Sequence, residues 1–95
     1  MTAKILIKRT VPEGAGKDLS VLLNRLRALT MQQSGYISGE TLKRADKTRQ
    51  FLVISTWQSM EHWREWVSSP QRATIQQQID DLLKTETVYE AYVYA

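Results

Sequence analysis

The stretch Phe51–Val67, FLVISTWQSMEHWREWV, predicts a strand that leads directly into a short helix. Apolar residues occur at both odd and even positions of 51–57, which indicates a strand with both faces largely buried. One face would carry Phe51, Val53, Ser55 and Trp57, and the other Leu52, Ile54 and Thr56. Ser59 follows, with a side-chain oxygen suited to the N-cap of a helix. We therefore expect a strand-to-helix corner around which the rest of the chain packs.

All three tryptophans of the chain lie within residues 57–66, at this predicted corner. Trp63, Trp66 and Val67 share one stripe of the predicted helix, because they follow its period of about 3.6 residues. Indoles are large, and a buried indole N–H needs a hydrogen-bond partner. Such a cluster either lines a cavity for a flat organic molecule or forms the aromatic centre of a small core. Composition alone favours the core.

The composition is that of a single small domain of 95 residues. The chain contains no cysteine, which excludes disulfides, thiol catalysis and cysteine-based metal sites. No apolar run approaches the roughly 20 residues of a membrane span. The first residues, MTAKILIKR, lack the apolar segment and the cleavage site of a signal peptide. We therefore expect a cytoplasmic protein without a membrane partner.

The formal net charge is +3, and most of the basic residues lie in the first half of the chain. A basic half can indicate nucleic-acid binding. Here the basic residues alternate with acidic and polar ones, and no nucleic-acid-binding motif is present. The pattern favours an ordinary solvated surface, and we predict no nucleic-acid partner.

The remaining sequence predicts further strands and helices on either side of the corner. The strands are Ala3–Val11, Tyr36–Arg44 and Val88–Ala95, and the helices are Lys17–Gln32 and Gln71–Lys84. Ser69 followed by Pro70 is typical of a helix start. Gly39, in the middle of its strand, indicates a bulge or a close backbone approach. The order β-α-β-β-α-α-β predicts an α+β, ferredoxin-like split β-α-β fold, with helices on one face of a four-stranded antiparallel sheet.

Helices on one side would leave the other face of this sheet uncovered. The strands carry apolar residues on both faces, and monomers rarely expose an apolar patch of that size. The simplest remedy is a second copy of the chain that packs sheet to sheet. The sequence therefore predicts a symmetric homodimer.

Several segments are similar to those of one known family. They are Arg9–Gly14 (RTVPEG), Gly35–Leu42 (GYISGETL), Val53–Ser59 (VISTWQS), Trp63–Trp66 (WREW), Ser69–Arg72 (SPQR) with Ile75, and Tyr89–Tyr92 (YEAY). Over nearly its whole length, as one domain, the chain resembles the antibiotic biosynthesis monooxygenase family. The resemblance implies a dimeric α+β barrel. It also implies several functions, because the family includes cofactor-independent quinone-forming monooxygenases, haem-degrading monooxygenases and many uncharacterised members.

The haem-degrading branch of that family has a recognisable residue pattern. It needs an asparagine on the first strand, a tryptophan before the last helix and a histidine ten residues further on. Trp66 matches the tryptophan, but Ile7 stands at the asparagine position and Gln76 at the histidine position. Imidazole is the usual donor to haem iron of this type, and a glutamine amide is a poor substitute. The comparison therefore disfavours haem degradation, and we predict no cofactor and no metal.

The resemblance implies a small cofactor-independent monooxygenase that acts on a phenol or hydroquinone. Such an enzyme binds a flat aromatic substrate in a dry pocket and stabilises its anion. We predict Trp66, Arg9 and Tyr36 as catalytic residues, with Arg9 beside a phenolate. The predicted substrate-binding residues are Trp57, Trp63, Ile7 and Tyr92. The alternative is a non-catalytic homodimeric module that binds a hydrophobic small molecule or serves in assembly.

His62 and the pair Glu40 and Glu90 could belong to a functional site, but a structural explanation of each is simpler. His62, the only histidine, precedes Trp63 and would point to the side of the helix or to solvent, where it lacks partners for a metal site. Glu40 and Glu90 could share a site with Arg9 if their faces coincide. We favour cross-strand ion pairs that fix the strand register.

Overall fold

The computed structural model describes residues 1–95. Its strands are β1 (Ala3–Thr10), β2 (Tyr36–Lys43), β3 (Gln50–Trp57) and β4 (Val88–Val93), and its helices are α1 (Gly16–Thr30), α2 (Met60–Val67) and α3 (Pro70–Leu83). Every predicted element is present, and the ends differ from the predicted ones by one or two residues. None of the helices is long and apolar enough to cross a membrane.

The strands form one four-stranded sheet in the order β2-β3-β1-β4, in which every neighbouring pair is antiparallel. Ile7, near the middle of β1, pairs with Val53 of β3 on one side and with Tyr89 of β4 on the other. The three helices cover one face, where α1 packs against α3. This architecture confirms the ferredoxin-like α+β fold predicted from the order of elements.

The period of two along β1 separates the two faces of the sheet. Ala3, Ile5, Ile7 and Arg9 are buried beneath the helices, while the residues between them are exposed or half-buried. On β3 the same face carries Ser55 and Trp57, both buried. Fully burying an apolar side chain such as that of Ile5 or Ile7 contributes about 1.5–3 kcal/mol to the stability of the folded protein. The core therefore lies between this face and the helices, and Arg9 is a charged residue within it.

Ser59 and Ser69 are the N-cap residues of α2 and α3, as the sequence predicts. Ser59 Oγ accepts from the backbone N–H of His62, and Ser69 Oγ accepts from that of Arg72, with Pro70 in the first turn. His62 differs from its prediction as a side-facing or solvent residue, since it is half-buried with Nδ1 2.7 Å from Ser59 Oγ. Its ring lies so close to Gly35 that a Cβ there would overlap it. His62 therefore packs the start of α2 against the α1–β2 connection.

The face away from the helices, called the open face below, is partly apolar. Leu6, Leu52 and Ile54 are half-buried in its centre. Leu42, Val88 and Tyr92 are 46%, 49% and 53% exposed. The structure thus has the uncovered apolar surface on which the homodimer prediction depends.

Candidate functional site

A cavity of about 100 Å³ lies between the helix-covered face of the sheet and the helices. Ile7 and Arg9 of β1 and Val53 and Ser55 of β3 form its floor, and α1 passes over it. The rim includes Asn24, Arg27 and Thr41, which are exposed. The cavity therefore opens to solvent between α1 and β2.

Three aromatic side chains line this cavity: Tyr36, Trp63 and Trp66. Trp57 is not among them. It is fully buried behind the wall, where its indole N–H donates to Ser55 Oγ at 2.8 Å. Its ring meets Tyr36 edge-on, with centroids 5.5 Å apart, and lies 5.8 Å from that of Trp63. The tryptophan cluster thus belongs partly to the core and partly to the cavity wall. Trp57 is a core residue, and it packs against the rings of Tyr36 and Trp63, which face the cavity.

Tyr36 reaches the cavity because Gly39 makes room for it. The β2–β3 register shifts between Tyr36 and Ser38, so the irregularity lies at Ile37 and not at Gly39, where the sequence indicated a bulge or a close backbone approach. A Cβ on Gly39 would lie 2.8 Å from the Tyr36 hydroxyl oxygen. The close approach predicted at Gly39 is therefore made by a side chain and not by another backbone.

The polar side of the cavity is formed by two buried arginines, Arg9 and Arg72, each 4% exposed. Both donate to the same oxygen, Oε1 of Gln76, over 3.4 and 3.3 Å. Arg72 also donates to the Tyr89 hydroxyl at 2.7 Å. Its guanidinium lies 5.6 Å from the Trp63 ring centroid and 5.2 Å from that of Tyr89. Two aromatic rings and two hydrogen bonds therefore hold the Arg72 side chain in place.

Gln76 is oriented by groups behind it. Its Nε2 donates to Asp80 Oδ1 at 2.8 Å and to Thr87 Oγ1 at 3.1 Å. Because the amide nitrogen is engaged there, the amide oxygen turns toward the arginines. Gln76 therefore links Asp80 to the cavity without bringing a carboxylate into it.

No aspartate or glutamate lines the cavity, although three arginines do: Arg9, Arg27 and Arg72. The ion pairs of the protein lie elsewhere, between Lys8 and Glu90, Arg44 and Asp46, and Arg49 and Glu13. Burial is the main cause that lowers the pKa of Arg9; Arg72 lowers it further, and Tyr89 and Asp80 raise it. Buried charges are normally paired. This cavity is therefore a cationic site with no carboxylate in its lining, and Asp80, whose charge acts on Arg9, lies behind Gln76.

The open face contains the groups considered for a shared carboxylate site. Glu90 pairs with Lys8 at 2.9 Å, and this hydrogen bond and charge raise the pKa of Lys8. Glu40 pairs with Ile54 on this face too, whereas Arg9 points to the helices. The two glutamates share the open face but Arg9 does not, and for Glu90 the structure has the predicted cross-strand ion pair.

Among the residues predicted as a site, five line the cavity: Ile7, Arg9, Tyr36, Trp63 and Trp66. Tyr92 does not, because it pairs with Lys4 on the open face and is 53% exposed. The tyrosine that reaches the arginines is Tyr89, which pairs with Ile7.

Sequence reasoning also missed Arg72 as a site residue. It lies one turn before Ile75 and two turns before Ile79 on the buried stripe of α3. An extension of that stripe by one turn toward Ser69 would have identified it. A charged residue at a core-facing position of a helix is the sequence signal that indicates such a site residue.

The cavity has no accompanying metal site, since the protein contains no group of three or more His, Cys, Asp or Glu that could hold a metal ion.

The fold is shared with several solved structures of low sequence identity. A conserved protein from Methanosarcina mazei Go1 is 15% identical with a TM-score of 0.89, covering 97% of this chain and 91% of that one. Rv0793 from Mycobacterium tuberculosis is 17% identical with a TM-score of 0.86, covering 100% and 96%. SnoaB from Streptomyces nogalater, a cofactor-independent oxygenase, is 17% identical with a TM-score of 0.82, covering 99% and 93%.

Among curated proteins there is no significant match to this sequence. The family model for antibiotic biosynthesis monooxygenases matches residues 2–78. That range contains β1 to α3 up to Gln78, and so all the residues that line the cavity. The chain therefore belongs to the antibiotic biosynthesis monooxygenase family.

Proposed function

We propose that this protein is a cofactor-independent monooxygenase that oxidises a small phenol or hydroquinone. The observation that carries the proposal is the pairing of an aromatic wall with two buried arginines that lack a carboxylate partner. Family membership and the similar fold of SnoaB, a cofactor-independent oxygenase, support it. The aromatic rings hold a flat substrate, and Arg9 favours its anion.

The reaction of a phenol with dioxygen needs no further reactant. The hydroxyl proton leaves to water, and the electron-rich phenolate transfers an electron to dioxygen. One oxygen atom then bonds to a ring carbon. The other oxygen leaves as water with two hydrogens, one from the hydroxyl and one from that ring carbon, and a quinone remains. The protein's part is to orient the ring, exclude bulk water and stabilise the phenolate.

The size of the cavity limits the substrate. Its volume is about 100 Å³, and an apolar cavity of about 150 Å³ is large enough for benzene. A single ring therefore fits with a small outward movement of α1, while a polycyclic substrate needs a larger one.

The same small volume is the observation that favours the second candidate, a non-catalytic module. Pockets for drug-sized ligands start at about 300 Å³, and this cavity of about 100 Å³ is smaller. The two candidates differ in oxygen consumption, since a binding module takes up a ring without consuming dioxygen.

Haem does not fit the residues present. Gln76 Oε1 accepts from two arginines, and its amide nitrogen donates to Asp80 and Thr87. An iron ion at this position would lie beside two buried positive charges and would lack an imidazole donor. We therefore propose a reaction without haem.

The proposal includes a homodimer formed through the open face. Leu6, Leu52 and Ile54 in the centre of that face, with the exposed Leu42, Val88 and Tyr92 around them, support it, because such a surface is costly to leave in water. Lys8 and Glu90 at the same face form a neutral pair. The pair lowers the cost of bringing two copies of the face together.

Oxygen uptake tests the proposed reaction. The purified protein, treated with a chelator, would be supplied with hydroquinone, catechol and substituted phenols in an oxygen-electrode cell. We expect uptake above the uncatalysed rate with at least one of them, one equivalent of quinone per dioxygen, and a loss of at least tenfold in Arg9→Met. Arg64→Gln, a change to an exposed arginine of α2, is the matched control and should keep the rate. Binding without oxygen uptake would favour the non-catalytic module.

A further inference from the structure

We propose that the ligand of this cavity is a single-ring aromatic acid whose carboxylate is bound between Arg9 and Arg72. The inference deepens the proposed function and rests on it for the fate of the ring. It concerns binding, however, and can be tested without turnover. It assigns the ligand a permanent negative charge in addition to any phenolate that forms during the reaction.

The two arginines have few hydrogen-bond acceptors around them. Within the protein the two guanidinium groups donate only three hydrogen bonds, two to Gln76 Oε1 and one to the Tyr89 hydroxyl. Each guanidinium has several N–H donors. Both acceptors are neutral, and the two bonds to Gln76 are long, at 3.4 and 3.3 Å. Two buried positive charges therefore share a set of acceptors that is too small for them.

One donor atom of Arg9 has no hydrogen-bond partner in the protein. Nε of Arg9 is buried and has no hydrogen-bond partner, in a side chain that is 4% exposed. An unsatisfied donor of this kind destabilises the folded protein. Since Arg9 and Arg72 both line the cavity, an acceptor bound there would lie beside the guanidinium that carries this atom.

A carboxylate and a phenolate differ in how well they match two guanidinium groups. A carboxylate has two oxygens that match the planar fork of a guanidinium, and it can accept from two such groups at once. A phenolate has only one oxygen, and most phenols keep their hydroxyl proton at neutral pH and are therefore uncharged. Two arginines that converge on one cavity therefore suit a carboxylate better.

The aromatic part of the ligand follows from the opposite wall. Tyr36, Trp63 and Trp66 line the same cavity as the arginines. Its volume of about 100 Å³ limits the ligand to one ring, which fits with the small outward movement of α1 described above. Arg27 is exposed at the rim, where it attracts anions toward the opening.

The site is also fixed before a ligand arrives. The Arg72 guanidinium packs against the rings of both Trp63 and Tyr89, and Gln76 is held by Asp80 and Thr87. Preorganised donors favour an anion because little order is lost when it binds. The same contacts explain how a buried arginine without a carboxylate partner keeps one orientation.

The test compares 4-hydroxybenzoate with 4-hydroxybenzamide by isothermal titration at neutral pH. The two have nearly the same shape and differ in charge. We expect the acid to bind at least tenfold more tightly, and acetate and phosphate, which lack a ring, to bind at least tenfold more weakly than the acid. Equal affinities for acid and amide, or no binding of either, would overturn the inference. Equally tight binding of acetate or phosphate would overturn its aromatic part.

Variants assign the binding to the two arginines. Arg72→Gln should weaken 4-hydroxybenzoate at least tenfold and leave the amide within threefold, while Arg64→Gln should change neither. An undiminished preference for the acid in a folded Arg72→Gln protein would contradict the assignment. The wild-type comparison of acid and amide decides the charge preference even if this variant does not fold.

Oxygen uptake separates this inference from the proposed function. Uptake with neutral hydroquinone, together with equal binding of acid and amide, would overturn the carboxylate site and leave the monooxygenase. Selective binding of the acid without oxygen uptake from any phenol would support the carboxylate site and overturn the monooxygenase.

Discussion

Arg9 of β1 and Arg72 of α3 donate to one and the same oxygen, Oε1 of Gln76, inside the protein. Both side chains are 4% exposed, and no carboxylate lies within ion-pair distance of either. Placing two like charges in the core is unfavourable unless something else compensates for them. A site of this kind is expected to lower the stability of the empty protein and to increase its affinity for an anion.

The first prediction concerns the cost of that charge. Burial lowers the pKa of Arg9, so its charged form is less stable in the folded protein than in the unfolded chain. An uncharged side chain of similar length avoids this cost. We expect Arg9→Met to leave the free energy of unfolding unchanged or to raise it by about 1–2 kcal/mol, as measured by urea denaturation, while anion binding and oxygen uptake are lost.

The control for this prediction is Arg64→Met, a change to an exposed arginine of α2. Its effect on stability should stay within about 0.5 kcal/mol, because surface substitutions away from special features have small effects. A drop of more than about 2 kcal/mol in Arg9→Met would mean that the arginine is compensated in the empty protein. The cationic site would then lose its main support.

The fold could be predicted from the sequence because its signals are local. The alternation in β1 and β3, the serines before α2 and α3 and the proline at Pro70 are read within a few residues. Trp63 and Trp66 were identified for the same reason, since their stripe lies within one short helix. The order of elements then left few possible topologies.

The parts of the site that were missed depend on pairings between distant segments. The face of each β4 tyrosine is set by the register that pairs Tyr89 with Ile7 and Tyr92 with Lys4. An exposed β4 with polar and apolar residues at both parities does not reveal that register. Arg72 was missed because a helical arginine usually lies in solvent. Only the position of α3 over the sheet buries it against Trp63 and Tyr89.

The second prediction concerns the fit between Tyr36 and Gly39. A Cβ on Gly39 would lie 2.8 Å from the Tyr36 hydroxyl oxygen, so the Tyr36 side chain, which lines the cavity, must move. We expect Gly39→Ala to lower the free energy of unfolding by about 1 kcal/mol and to weaken ligand binding. Adding Tyr36→Phe removes the crowded oxygen and should recover most of the stability in the double variant.

Gly16 provides the control for this substitution. A Cβ at Gly16 would have no neighbour within 4 Å, and the residue begins α1. Gly16→Ala should be neutral or raise stability by about 0.4–1 kcal/mol, since it restricts the unfolded chain. If Gly39→Ala behaved like Gly16→Ala in thermal melts, the crowding would have no energetic consequence.

The third prediction concerns the open face. If two copies pack through it, light scattering at micromolar concentration should give about twice 11.0 kDa. Ile54, half-buried in the centre of this face, becomes charged in Ile54→Lys, and we expect that variant to be a folded monomer. Val21→Lys alters a β-branched residue of α1 that is 51% exposed and should keep the larger mass. A wild-type protein of 11.0 kDa would rule out the dimer.

The fourth prediction is that the protein does not degrade haem. Gln76 stands where the resemblance to the haem-degrading branch places the iron ligand, and its oxygen already accepts from two arginines. Haem with a reductant should therefore keep its Soret absorption in the presence of the protein, as it does with buffer alone. A protein-dependent loss of that band, resistant to catalase and with a bilin-like product, would contradict this prediction.

The last prediction separates the two functions of the tryptophan cluster. Trp66 lines the cavity, whereas Trp57 is fully buried and donates its indole N–H to Ser55 Oγ at 2.8 Å. Trp66→Phe should keep an aromatic wall with a smaller ring, so it should change ligand affinity or oxygen uptake at least threefold with a small loss of stability. Trp57→Phe should instead cost about 1–3 kcal/mol of unfolding free energy, because it leaves a void and removes a buried hydrogen bond.

Thermal melts of both variants, with and without 4-hydroxybenzoate, provide the measurement. For Trp57→Phe we expect a lower melting temperature and an undiminished shift on adding ligand. For Trp66→Phe we expect a melting temperature closer to that of the wild type and an altered ligand shift. If Trp66→Phe melted several degrees lower with unchanged ligand binding, Trp66 would belong to the core as Trp57 does. The aromatic wall would then consist of Tyr36 and Trp63 alone.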